Sequence, residues 1–339
     1  MWFHRSLVFV IFMVSSFRIW ELSNADSISN YITVSSTGHG DFRTITEAIE
    51  QGIPENNNHW IQISVMPVFW SYDVKYIRRS EKVTVPSNKP FIILEGTSKD
   101  TTKVNWNGNS DFSNASLQVL ASNFVARRIT FQFSSQNTYN HSSDGDQRKQ
   151  ALAASIEGNK ILFYDCRFIS VQDTLFDGSG LHYFKNCYIE GAVDFIFGNG
   201  QSIYEDCNIN VTAGLTGAIP GYITAQNREG RNESTGFVFK SCNISGSGPT
   251  YLGRAYGPSS RVIFYKCQIS NIVVPEGWDA WKNKGKEDSI TYEEIDNNGA
   301  GSDTSKRVPW INKLNANEVD QLVSISFIDA DSWLGGIAK

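Results

Sequence analysis

Two aspartates stand at the same place in two consecutive stretches of this chain. Asp173 follows Cys166 by seven residues, and Asp194 follows Cys187 by seven. Two carboxyls brought close together cannot both ionise cheaply, so one keeps its proton while the other stays charged. Such a pair divides into a proton donor and a nucleophile or base. Gln172 adjoins Asp173, and Gln150 stands 22 residues before Gln172. Neutral amides there would give N–H donors to a developing oxyanion without adding charge. The flanks "SVQDTLF" and "AVDFIFG" are apolar, which would partly desolvate the acids. No Gly-x-Ser-x-Gly elbow occurs, so a serine hydrolase has little support. With no His-Glu-x-x-His or EF-hand loop and only five histidines, a metal site has little support either. A lone Asp before Gly, as at Asp177, is expected to be a solvated turn residue.

The elements that must hold these acids are visible around the cysteines. "LFYDCRF", "YFKNCYI", "IYEDCNI", "FVFKSCNI" and "IFYKCQI" repeat one phrase, and "NFVARRITF" is an earlier copy without the cysteine. Each is a short aromatic and β-branched run of strand length. The cysteines are 21, 20, 35 and 25 residues apart, so two short repeats precede others that carry insertions. One strand phrase per period of about 20 residues predicts an all-β fold, a solenoid of the parallel β-helix kind. Equivalent residues of successive coils then lie one strand spacing apart, about 4.8 Å. Cys166, Cys187 and Cys207 would form a buried ladder, with a disulfide between neighbouring rungs left open. The same spacing puts Asp173 and Asp194 side by side.

The chain has 339 residues and a net charge of -5, which gives no basic surface for nucleic acid. "MWFHRSLVFVIFMVSSF" is a weakly basic lead with an apolar run too short to span a bilayer. It reads as a signal peptide over residues 1–25, cut after Ala25, with no membrane span later in the chain. Five Asn-x-Ser/Thr triplets, at Asn114, Asn140, Asn210, Asn232 and Asn243, are compatible with a secreted glycoprotein.

"QALAAS", "VQDTLF", "VDFIFGNG", "YITAQNR", "YLGRAYGP" and "VVPEGWDAW" occur in that order. Together they resemble the plant pectinesterases (pectin methylesterases), from about Tyr31 to near the C-terminus. The resemblance implies a single-stranded, right-handed parallel β-helix over residues 26–339. It implies hydrolysis of methyl esters on galacturonosyl units of cell-wall pectin, with no metal or organic cofactor. Asp194 would be the nucleophile, Asp173 the acid and then the base, Gln172 and Gln150 the oxyanion hole, and Arg254 the cation paired with Asp194. Tyr256, Trp278, Phe195 and Trp281 would line the sugar cleft. The implied setting is a secreted monomer in the cell wall, with pectin and a proteinaceous pectinesterase inhibitor as partners. The family pattern starts close to the expected signal cleavage, as in the short form that lacks an inhibitor-like N-terminal region.

Two departures stand out. Leu252-Gly253-Arg254-Ala255-Tyr256 replaces the family's usual Leu-Gly-Arg-Pro-Trp, so a phenol takes the place of an indole. The family's early Gly-x-Tyr-x-Glu segment is not recoverable, and an extra stretch from Pro67 to Arg79 stands there before "EKVTVPSNKPFIILEG" resumes the pattern. These departures motivate an alternative, a catalytically weak pectin-binding wall protein. A β-helix glycosidase or lyase is a third reading, since two acids can also cleave a glycosidic bond. The glutamine pair and Arg254 suit ester chemistry better.

Overall fold

The computed structural model describes residues 27–66, 77–108, 114–134, 150–217 and 220–337. The signal-peptide stretch and Pro67 to Tyr76 lie outside the described residues. Among the described residues, three parallel sheets of ten, eight and eight strands run side by side, here called A, B and C, and the chain visits them in the order A, B, C in each full coil. This is the right-handed parallel β-helix expected from the repeat. Side chains alternate inward and outward, as in Ile61–Val65, where Ile61, Ile63 and Val65 are buried.

The corner between sheets A and B is a single residue. Arg128, Asp165, Asn186, Asp206, Ser241, Lys266 and Asp296 all sit there with φ between 52° and 56°. One left-handed residue redirects the strand sharply, and Asp and Asn accept that region more readily than most side chains. That is why an Asp or Asn precedes Cys166, Cys187 and Cys207.

Each cysteine follows its corner and points inward. Lys185 pairs with both Tyr164 and Glu205, and Lys240 with both Glu205 and Tyr265, which puts the five cysteines on adjacent rungs. All five are buried and free, so the rungs are not joined by disulfides. Beside them Phe163, Phe184, Tyr204, Phe239 and Phe264 stack in a column, with successive centroids 5.3, 4.6, 4.7 and 4.6 Å apart. In-register coils make identical neighbours stack, and aromatic rings exploit that repetition.

A short helix, Ala213–Thr216, and the stretch 227–235 lengthen the coil between Cys207 and Cys242. At the N-terminal end, Thr44 and Glu47 form a capping box on a helical turn that plugs the solenoid with Ile45, Ala48 and Ile49. Glu81, where the family pattern resumes, accepts hydrogen bonds from the Ile45 and Thr46 amides of that turn (3.3 and 2.6 Å). At the other end the chain returns over the outside of sheet A. The helix Ala316–Val323 and Phe327 cover Ile203, Val238 and Ile263, and Trp333 and Ile337 cover Ile93 and Val125. Trp60 ties this strap down by donating to the Gly336 carbonyl at 2.9 Å.

Candidate active site

The corner between sheets B and C is again left-handed, and its residues are the two acids. Asp173 has φ 59° and Asp194 φ 48°. Gln172 pairs with Val193 and the Asp173 amide donates to the Val193 carbonyl (3.1 Å), so the acids occupy the same rung position on adjacent coils. Both are nearly covered, at 6% and 7% exposure. Burial pushes the Asp173 carboxyl up to about 7, reinforced by the Asp194 charge and opposed by a hydrogen bond from Gln150 and by Arg254. Burial also raises Asp194, but Arg254 opposes it through direct hydrogen bonds and charge. Arg254 donates from Nε to Oδ1 of Asp194 at 2.8 Å and from a terminal nitrogen to Oδ2. Among the described residues, of the two acids Asp194 alone has a cation in contact, which favours its charged form over that of Asp173.

A cavity of about 380 Å³ opens over the acids, lined by Gln150, Gln172, Asp173, Asp194, Ala225 and Asn227, with Phe176, Phe197 and Tyr256 at its sides. The Gln172 amide faces it, and among the described residues its side chain has no hydrogen-bond partner. Its N–H groups are thus available to a ligand.

The structure brings Gln150, Gln172, Asp173, Asp194 and Arg254 together and separates the aromatic residues. Tyr256 is 41% exposed at the cavity wall, and its ring lies 5.3 Å from that of Trp281. Phe195 and Trp278, expected in the sugar cleft, are instead core residues at 0% and 1% exposure. After the left-handed corner the chain enters sheet C with Phe195 turned inward, and Trp278 stacks on Tyr292 at 4.2 Å while its indole N–H donates to Glu294 at 2.8 Å. Removing so large a buried ring should cost about 3–5 kcal/mol, so Trp278→Ala is expected to lower the denaturation midpoint sharply; an unchanged urea midpoint would contradict this placement.

Beside Tyr256 the cavity is walled by Phe176 and Phe197, three residues after Asp173 and Asp194, with centroids 5.0 Å apart on adjacent coils. Aligning the two acids would have aligned these rings, a signal present in "DTLF" and "DFIF". Asp177 also departs from expectation. It is fully buried, accepts the Tyr204 hydroxyl at 2.6 Å and contacts Nδ1 of His182 at 2.5 Å. In sheet C the fourth position after the corner points inward, so this Asp faces the core.

The glycine before Arg254 is fixed by packing. A Cβ on Gly253 would sit 2.0 Å from the Thr224 hydroxyl on the preceding coil. No other residue lets the strand bearing Arg254 approach so closely.

The chain as a whole is similar to known proteins. The family model described as Pectinesterase fits residues 31–331. The chain is 43% identical over 309 residues to "Probable pectinesterase 55" of Arabidopsis thaliana, covering 89% of both proteins. It is 41% identical to "Probable pectinesterase 29" of the same plant, over 89% of this chain and 88% of that one. Among solved structures, a pectin methylesterase from carrot superposes with a TM-score of 0.78 at 31% identity, covering 89% of this chain and 94% of that one. A pectin methylesterase from Aspergillus niger gives 0.72 at 26% identity, over 93% and 99%. With the family model spanning nearly the whole described chain and relatives this similar along almost all of their length, the protein belongs to the pectinesterase family of carboxylic ester hydrolases.

Proposed function

We propose that the protein removes methyl esters from galacturonosyl units of pectin, with Asp194 as nucleophile. The observation that carries this reading is the juxtaposition of an arginine-paired acid, Asp194, with a second buried acid, Asp173, that accepts a hydrogen bond from Gln150, beside the Gln172 amide at the cavity. Asp194 attacks the C6 carbonyl carbon, and the oxyanion takes N–H bonds from Gln172 and Gln150. Asp173 gives its proton to the departing methoxide, which leaves as methanol, and a mixed anhydride joins Asp194 to the uronate. Asp173, now a carboxylate, takes a proton from water as that water attacks the anhydride. The uronic acid leaves and Asp194 is free again. Phe176, Phe197 and Tyr256 offer rings to the sugar chain at low entropy cost. The setting is the cell wall, reached by export through residues 1–25, with the protein acting as a monomer and regulated by an inhibitor protein.

The test is methanol release from highly methylated pectin by the secreted protein; folded protein that binds pectin and releases none would overturn the reading. The pH dependence carries a second expectation. Acylation needs Asp173 protonated, and that form is lost as pH rises through about 7. The value of kcat/KM should therefore fall about tenfold per pH unit above that point. In Asp173→Asn the remaining activity should lack this limb, and a parent profile flat to pH 9 would contradict the assignment.

A further inference from the structure

Arg254 touches more than Asp194. Its guanidinium carbon lies 4.6 Å from the Tyr222 ring centroid and 4.3 Å from that of Trp281. Both residues are tied to one carboxylate. The Tyr222 hydroxyl donates to Oδ2 of Asp279 at 3.3 Å, and the Trp281 backbone N–H donates to Oδ1 at 2.8 Å. Asp279 is the in-register neighbour of Arg254 on the next coil. Trp281 reaches its place with φ 50°, a left-handed conformation that a bulky aromatic seldom adopts. Strain of this kind persists only where the surroundings enforce it.

We propose that Tyr222, Trp281 and Asp279 are positioning residues that present the edge of the Arg254 guanidinium to Asp194. A bidentate pair fixes guanidinium to carboxylate but not to the fold, so the two groups could swing together. Rings against the guanidinium add attraction without offering an acceptor that competes for its N–H groups. Asp279 is a second carboxylate within range of the same arginine. Its oxygens are engaged by Tyr222 and Trp281, and among the described residues the ion pair of Arg254 is with Asp194. The arrangement thereby uses the charge of Asp279 without diverting the arginine. Small displacements of a nucleophile are expensive, so such a hold acts on kcat.

The inference rests on Asp194 being the nucleophile. Its ionisation sets the acid limb of kcat/KM, and the titratable or charged groups around it are Asp173, Arg254, Tyr222, Asp279 and Tyr292. Loosening Arg254 weakens the cation that favours the Asp194 carboxylate, so the limb moves to higher pH. The experiment measures methanol release by Trp281→Ala, Trp281→Phe and Asp194→Asn beside the parent, with thermal melts of each. Trp281→Ala is expected to lose about tenfold in kcat with KM changed less than about twofold, and to shift the acid limb up by about half a pH unit, with Trp281→Phe recovering most of both. A rise in KM with an unmoved acid limb would make Trp281 a sugar-stacking residue and overturn the proposal. A lower melting temperature with kcat and limb unchanged would overturn it as merely structural. Full activity in Asp194→Asn would remove the nucleophile assignment and the clamp together, whereas an inactive Asp194→Asn beside an unmoved limb in Trp281→Ala removes the clamp alone.

Discussion

Asp194→Asn is expected to lower methanol release by about 10⁴-fold or more while leaving the β-helix folded. The substitution is close to isosteric, and Asn accepts the left-handed corner that Asp194 occupies at φ 48°. The amide oxygen can still accept from Arg254, so the geometry survives while the nucleophilic oxygen is lost. Half of the bidentate pair goes, which leaves a partly buried guanidinium under-compensated. Relief of the burial cost of the Asp194 carboxylate acts in the opposite direction. The net change in stability should be small, and circular dichroism with a thermal melt checks it alongside methanol assays. Activity within tenfold of the parent would show that another group attacks the ester.

Arg254→Lys should be the second-largest effect, a fall in kcat/KM of about 10²- to 10³-fold although the charge is kept. A lysine ammonium is a point charge. It cannot reproduce the planar two-bond contact with Asp194 or lie flat against Tyr222 and Trp281. If positive charge alone held Asp194 ionised, the variant would retain nearly full activity, and a loss under about threefold would contradict the geometric role. Steady-state assays at several pH values separate the two, because a charge-only role leaves the acid limb where it is.

Much of this site could be read from local repetition. The seven-residue offset from cysteine to aspartate repeats because these two coils spend the same number of residues between the left-handed corner before the cysteine and the one at the aspartate. Asp173 and Asp194 were legible for that reason, and Gln172 for its place beside Asp173. The aromatic residues were harder because their direction depends on the corner. Phe195 and Phe197 differ by two positions, yet a left-handed residue just before them resets the inward and outward alternation. One ring enters the core and the other the cleft. Trp278 looked like a cleft residue from its motif, but its direction is set by Gly253 and Tyr292 on other coils, which no local pattern reveals. The contacts of Arg254 with Tyr222 and Trp281 join residues far apart in sequence and depend on the insertion lengths of three coils. Asp177 shows the converse, a turn-like dipeptide turned inward to meet a buried histidine and tyrosine.

The central claim is covalent attack by Asp194, and interception of the anhydride tests it most directly. Turnover of methylated pectin in the presence of hydroxylamine should divert the acyl-enzyme to a galacturonoyl hydroxamate, formed by the parent and not by Asp194→Asn, while the rate of methanol release is unchanged. Methanol release with no hydroxamate above the Asp194→Asn background would contradict the account, because water would then attack the ester directly with an aspartate acting only as base.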